Sequence, residues 1–280
     1  MLIKSPNKEN KTRLAKKLGI SRGMLYYRHK RPVADEELKK KIIEVLKTHK
    51  AYGHKRIAME LKLNRKCVLR VMKKFDIKPY RRRKTPRKTG DEGKAQSQFP
   101  NLIEKFCPIK PNVVWVGDFT WIYFNEVFYY LATVMDLFTR EIIGWSFASH
   151  HTAQLVTEAF NDAVKKTGTT PLYFHCDQGS EYDSKEYEII MQEYQIKLSM
   201  SRKGHPWENG YQESFYSNFK LELGDPERFD DLGKLIEEIA HTIYYYNHDR
   251  IHTSLKMSPV KFKAKSVLLN REYLFKELGT

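Results

Sequence analysis

From Ser201 to Leu223 the chain passes from a polar loop into a helical pattern, with Phe215 and Phe219 four residues apart on an apolar stripe. Asn209, Glu213 and Lys220 recur at i, i+4 and i+11, which places them along a different stripe of the same helix. Upstream the pattern changes to runs of β-branched and aromatic residues. Val113–Phe124, Val127–Phe138 and Glu141–Ala148 predict three consecutive strands, the first two hinged at Asn125-Glu126. Thr152–Lys166 then predicts a helix, Leu172–Cys176 a strand, Ser184–Tyr194 a helix and Ile196–Met200 a short strand. Asp231–Asn247 predicts a further helix, with Leu232, Leu235, Ile236, Ile239 and Ile243 inward. Periodicity by itself predicts an α/β domain.

The first quarter of the chain reads as all helix. Leu14, Ala15 and Leu18 share one face, Gly19 stops that helix, and Ser21 caps a second over Arg22–His29. This pair predicts a helix-turn-helix-like unit. Asp35–Thr48 turns Leu38, Ile42, Val45 and Leu46 inward, Tyr52–Ile57 opens another helix, and Asn64 caps one carrying Val68, Val71, Met72 and Phe75. Between the helical and the strand-rich parts, Lys78–Gln98 has almost no apolar residues and predicts a flexible basic linker.

Charge sharpens this division. The formal net charge of +16 is uneven, with 30 Lys and Arg against 7 Asp and Glu in residues 1–88, and 20 against 27 in the remainder. A basic half fits a polyanion, and an acidic half fits a cation. No run of about 18 apolar residues and no leader pattern is seen, so a cytoplasmic protein is expected. Cys67, Cys107 and Cys176 lie far apart and are expected to be packing residues. His248 and His252 have i,i+4 spacing but no companion pair of the kind a structural zinc site needs.

Two acids stand where burial is costly. Asp118 interrupts the apolar run W-V-G-D-F-T-W-I-Y-F, and Asp177 ends P-L-Y-F-H-C-D before a Gln-Gly-Ser turn. Carboxylates there need a partner, a hydrogen bond or a metal. Glu213 follows Asp177 after 35 intervening residues, and Lys220 stands two helical turns beyond it. This spacing resembles the D,D-35-E signature of insertion-sequence transposases and retroviral integrases. The words W-V-G-D-F-T, Y-L-A-T-V-M-D-L-F-T-R-E-I-I-G-W, H-C-D-Q-G-S-E-Y and Y-N-H-D-R-I-H-T-S-L-K-M-S-P-V-K-F resemble one bacterial group, insertion-sequence transposases whose catalytic half is a second reading frame. The resemblance runs from about Leu38 to Phe262.

It implies a ribonuclease H-like core, whose element order βββαβαβα agrees with the pattern, preceded by small all-α helix-turn-helix units. The expected divisions are 1–33 and 34–78 for two helix-turn-helix units, 79–108 for the linker, 109–262 for the catalytic core and 263–280 for an extension. Asp118, Asp177 and Glu213 become the catalytic and metal-binding triad, with Asp118 bridging two Mg²⁺ ions and Mn²⁺ able to substitute. Two such ions about 4 Å apart activate the attacking oxygen and stabilise the leaving one. Expected DNA contacts are Lys220, Asn209, Arg65, Lys66, Arg70, Arg81, Arg82, Arg83 and Arg22. Arg250 and His252 are weaker DNA candidates in a tail read mainly as packing. Glu208 and Glu181 are competing acids; Glu208 does not fit the 35-residue spacing. Asp136 is read as structural or as a neighbour that supports the site acids without binding metal itself.

The implied activity cuts transposon ends and joins their 3′-hydroxyls to target DNA by transesterification. A metal-dependent nuclease that does not join, or an inactive DNA-binding regulator, are the alternatives. Expected partners are double-stranded DNA with terminal inverted repeats, further copies of the chain and a longer frameshift-fusion transposase, without a membrane. A bacterial, nucleoid-associated location follows.

Overall fold

A computed structural model describes residues 11–26, 31–81, 99–104, 106–202 and 205–278. Helix α1 (Lys11–Lys17) is followed by a 3-10 turn, Arg22–Tyr26, rather than the α-helix expected over 22–29. Its five residues include Gly23, and part of the expected helix lies outside the described residues. Three helices, α2 (Arg31–Thr48), α3 (His54–Glu60) and α4 (Arg65–Lys74), then enclose a small core around Ile42, Tyr52, Ile57, Val68 and Val71. Asn64 caps α4, its side chain accepting the Lys66 N–H at 2.8 Å. The start of α2 at Arg31 precedes the expected division at 33/34.

The strands are β1 (Val114–Phe124), β2 (Val127–Asp136), β3 (Ile142–Ala148), β4 (Tyr173–Cys176) and β5 (Lys197–Met200). They form one mixed sheet in the order β3-β2-β1-β4-β5. β1, β2 and β3 are antiparallel, while β4 runs parallel to β1 and β5 parallel to β4. Asn125 and Glu126 turn the first hairpin with φ of 47° and 62°, the left-handed pair a two-residue hairpin loop requires.

Helices cover both faces. α5 (Ala153–Thr167) and α6 (Lys185–Glu193) pack one face through Trp115, Val156, Phe160, Phe174 and Tyr187. α7 (Gly210–Leu223) and α8 (Leu232–His248) pack the other through Ile122, Phe124, Phe215, Phe219, Leu235 and Ile239. Close approach of α5 to β3 needs Gly144, because a Cβ there would lie 2.3 Å from the Ala159 carbonyl oxygen. The final helix, α9 (Pro259–Leu278), runs unbroken through the expected division at 262/263.

The helical N-terminal unit is tied to the end of α8. Tyr52 Oη accepts the Ile251 N–H at 2.7 Å, Arg56 Nε donates to the Ile251 carbonyl at 2.9 Å, and the His49 ring meets the Tyr245 hydroxyl at 2.7 Å. Among the described residues no helix is long and apolar enough to cross a membrane.

Candidate active site

The parallel pairing of β1 with β4 aligns the two aspartates. Val116 is opposite His175, and each acid stands two residues beyond that pair, so Asp118 and Asp177 leave adjacent strands at equivalent positions. Asp118 lies within β1, while Asp177 directly follows the C-terminal end of β4, the kind of position where open α/β sheets present their ligand sites. Side chains two apart share a face, so Asp118 lies on the side of β1 that Ile122 and Phe124 bury against α7.

Glu213 arrives on that side in the first turn of α7. The helix is held by its neighbour Gln212, which is fully buried and whose Nε2 donates to the Val116 carbonyl at 2.6 Å. One turn on, the Tyr216 hydroxyl donates to the Asp118 carbonyl at 2.6 Å and meets Thr133 Oγ1 at 2.8 Å. Thr133 is the residue opposite Asp118 on β2, and its hydroxyl donates to Gln212 Oε1. Gln212, Tyr216 and Thr133 were not legible as site residues. Their signal is Q-E-S-F-Y, polar groups at i and i+4 inside an apolar stripe.

The acids act on one another. Burial holds the Asp118 carboxyl well above its usual range, the charges of Asp177 and Glu213 push it further, and the Phe119 N–H pulls the other way. Asp177 is raised by burial and by Glu181, against a hydrogen bond from the Gly179 N–H at 3.0 Å. Carboxylates raised by burial and by other carboxylates suit a divalent cation, which would lower both penalties. Among the described residues no three His, Cys, Asp or Glu groups are gathered tightly enough to hold an ion as they stand, and Glu213 lies on an exposed position. The register therefore sets the two aspartates on neighbouring strands, while Glu213 comes from α7 on the same side of the sheet.

The competing acids have other work. Glu208 accepts from Asn101 Nδ2, from the Arg202 backbone N–H and from the Arg202 guanidinium, so it ties the loop before α7. Glu181 is buried and takes the His151 Nδ1 at 2.5 Å, with His151 stacked on Phe119. Asp136 is structural, accepting from the Asn112 and Thr139 N–H groups and the Thr139 hydroxyl.

Of the expected DNA contacts, Lys220 lies two turns beyond Glu213 with its Nζ 4.4 Å from the Trp121 ring centroid. Asn209 is buried at the entry to α7, its Oδ1 without a hydrogen-bond partner. Arg65 and Lys66 are exposed in the first turn of α4, Arg22 and Arg81 are exposed, and Arg82 and Arg83 lie outside the described residues. Arg70 is different: both its terminal nitrogens donate to Asp35, at 2.8 and 2.6 Å, beside Lys74 at 2.8 Å. That clamp joins α4 to α2 and holds the Asp35 carboxyl far below its usual range. Arg250 is also committed internally, buried against Glu222 and Asn218. Cys67 and Cys107 are exposed, against expectation; only Cys176 of the three packs in the core.

Two family models, both described as integrase core domain, match residues 108–206 and 194–259. The chain is 36% identical over 249 residues to the transposase for insertion sequence element IS904 of Lactococcus lactis subsp. lactis (strain IL1403), across 84% of this chain and 98% of that protein. It is 30% identical over 262 residues to the putative transposase InsK for insertion sequence element IS150 of Escherichia coli (strain K12), covering 89% and 92% respectively. Among solved structures it is similar in fold to a chain of the simian T-cell lymphotropic virus intasome in complex with PP2A regulatory subunit B56 gamma. That match has a TM-score of 0.51 and 17% identity, over 80% of this chain and 74% of that one.

Proposed function

The chain belongs to the insertion-sequence transposases with an integrase core, and we propose that it nicks its element's ends and joins their 3′-hydroxyls to target DNA with Asp118, Asp177 and Glu213. It is a polynucleotidyl transferase of the DDE type, a family that in general uses a divalent metal. The observation that carries the residue assignment is the strand register, which sets Asp118 beside Asp177 on the face that α7 covers.

Mg²⁺ bound by these acids would stabilise charge on the attacking and leaving oxygens of the phosphodiester. The chain's own residues supply the frame. Gln212 and Tyr216 hold α7 against β1, so in this reading Glu213 is offered to the aspartates' side of the sheet from a rigid element. Lys220, on the same side of α7, is assigned to a phosphate near the scissile bond.

The N-terminal helices are assigned to end recognition. Lys55, Lys62, Arg65 and Lys66 line a cavity of about 600 Å³ between α3 and α4, at the N-terminus of α4. Exposed cations beside a helix N-terminus suit DNA phosphates. Terminal inverted repeats, target DNA, further copies of this chain and a longer fusion transposase are the partners this reading carries.

A gel assay tests it, with purified protein, Mg²⁺ or Mn²⁺, and labelled duplex bearing the terminal repeats that flank the gene. Strand-joined products with wild type, and their loss in both Asp118→Asn and Glu213→Gln, are the expected result. Nicking without joining would demote the chain to a nuclease. Binding without either would make it a regulator.

A further inference from the structure

Two sequence words that the proposed chemistry leaves unused, V-M-D-L-F-T-R ending at Arg140 and Y-N-H-D-R-I-H ending at His252, meet in one cavity of about 460 Å³. Arg56 from α3, Arg140 from the β2–β3 turn, Arg250 and His252 line it, with Trp207 and Tyr211 beside them. α7 lends it Gly210, Tyr211, Ser214 and Asn218. At about 100° per residue these form a face next to the one that carries Glu213 and Lys220.

The turn that presents Arg140 is built for it. Asp136 collects the Asn112 and Thr139 donors, and the Arg140 N–H closes the turn on the Asp136 carbonyl at 2.8 Å. Arg140 itself takes φ 64°, a left-handed conformation uncommon outside glycine, which fixes the direction in which its side chain leaves the turn. Its guanidinium carbon lies 3.8 Å from the Tyr211 ring centroid, and its Nη1 is buried without a hydrogen-bond partner. His252 Nδ1 is buried without a partner as well.

The charges around them are mostly of one sign. Arg250 is matched by Glu222 at 3.2 Å, while Arg56 spends its Nε on the Ile251 carbonyl. Burial and then Arg140, Arg250 and Arg56 together push His252 down to about 4, and Arg250 also acts against the charge of Arg56. A guanidinium nitrogen and a ring nitrogen buried without hydrogen-bond partners are costly until an acceptor receives them.

We propose that this cavity is a second DNA subsite, which takes a backbone phosphate on Arg140 Nη1 and His252 Nδ1–H and stacks the adjoining base on Tyr211 or Trp207. It rests on the transposase reading for the source of the phosphate. The two rings suit that source, being 45% and 69% exposed at the mouth of the cavity, where a base could lie against Trp207 or against the face of Tyr211 that Arg140 leaves open. Because Arg56 belongs to the N-terminal helices and Arg140 to the core, a strand held here would be gripped by both.

The test uses the full chain in EDTA, so that no cleavage is required, with two probes. Inorganic phosphate is titrated against chloride at equal ionic strength while thermal unfolding is followed. A labelled duplex is titrated by fluorescence anisotropy across a salt series. Phosphate should raise the melting temperature of wild type, and Arg140→Gln should remove that rise. The same substitution should weaken duplex binding about tenfold and reduce the slope of log K against log salt by about 0.9, the loss of one phosphate contact. His252→Asn should weaken both responses, and circular dichroism confirms that each variant is folded. Duplex affinity and salt slope unchanged in both variants would overturn the proposal; a phosphate response surviving alone would then mark a free-anion site. A chain that binds through Arg140 yet neither nicks nor joins would sink the catalytic reading and leave this subsite standing.

Discussion

Asp118 sits where a carboxylate is costly, among β-branched and aromatic neighbours, and that cost is what made it legible in the sequence. Glu213 was legible only through its spacing from Asp177, since an acid on an exposed helical position is otherwise unremarked. Gln212, Tyr216 and Thr133 escaped because a buried polar side chain is defined by what it meets across the sheet, and local pattern does not carry that partner. Arg70 misled for the same reason: its helical position was readable, but its bidentate pairing with Asp35, 35 residues earlier, was not. His252 gives a residue-scale prediction. Its folded pKa is pushed down to about 4 by burial and three arginines, while the unfolded chain takes up that proton near 6.5. Between those values the unfolded state binds more protons, so this contribution is intact above about pH 6.5 and is lost as pH falls towards 4. Urea midpoints at pH 7.5 and 5 should therefore drop further for wild type than for His252→Asn; equal drops would refute the assignment.

Elements were read more securely than contacts. The Asn125-Glu126 hinge, the Thr152 and Asp231 helix starts and the Asn64 cap stand where expected, because caps and tight turns are decided within a few residues. The exceptions are short or terminal. The described residues Arg22–Tyr26 form a 3-10 turn where an α-helix was expected, and α9 continues past its expected boundary. At this scale the packing of α7 on β1 is the feature on which the site depends. Tyr216→Phe removes the hydroxyl that bridges Asp118 and Thr133, so it should cost about 1 kcal/mol in urea unfolding and lower strand joining by more than that stability loss accounts for. Joining at the wild-type rate would show that Glu213 is positioned without this bond. The α5–β3 approach is tighter still: Gly144→Ala should cost about 1–3 kcal/mol by the same measurement, because backbone rather than a movable side chain stands in the way.

At the scale of the whole molecule, the helical N-terminal unit and the catalytic core are joined by buried hydrogen bonds around Ile251. Tyr52→Phe leaves the Ile251 N–H without its acceptor, a loss of about 1–3 kcal/mol. Faster hydrogen exchange at the Ile251 amide, together with a lower unfolding midpoint, is the expected outcome; exchange at the wild-type rate would mean that the contact does not hold the two parts together. The sequence alone determined the α/β class, the strand and helix order and the uneven charge, since each is a property of composition or period; the acids proposed for the site were found through their spacing and the family words around them. Tertiary structure alone decided which arginines are committed to internal partners, which polar groups brace α7, and that Arg56, Arg140 and His252 share one cavity. Those facts depend on residues tens to hundreds of positions apart. Local propensity fixes where an element begins, but only packing determines which side chains from distant elements come within hydrogen-bonding distance and which are left with a donor to spare.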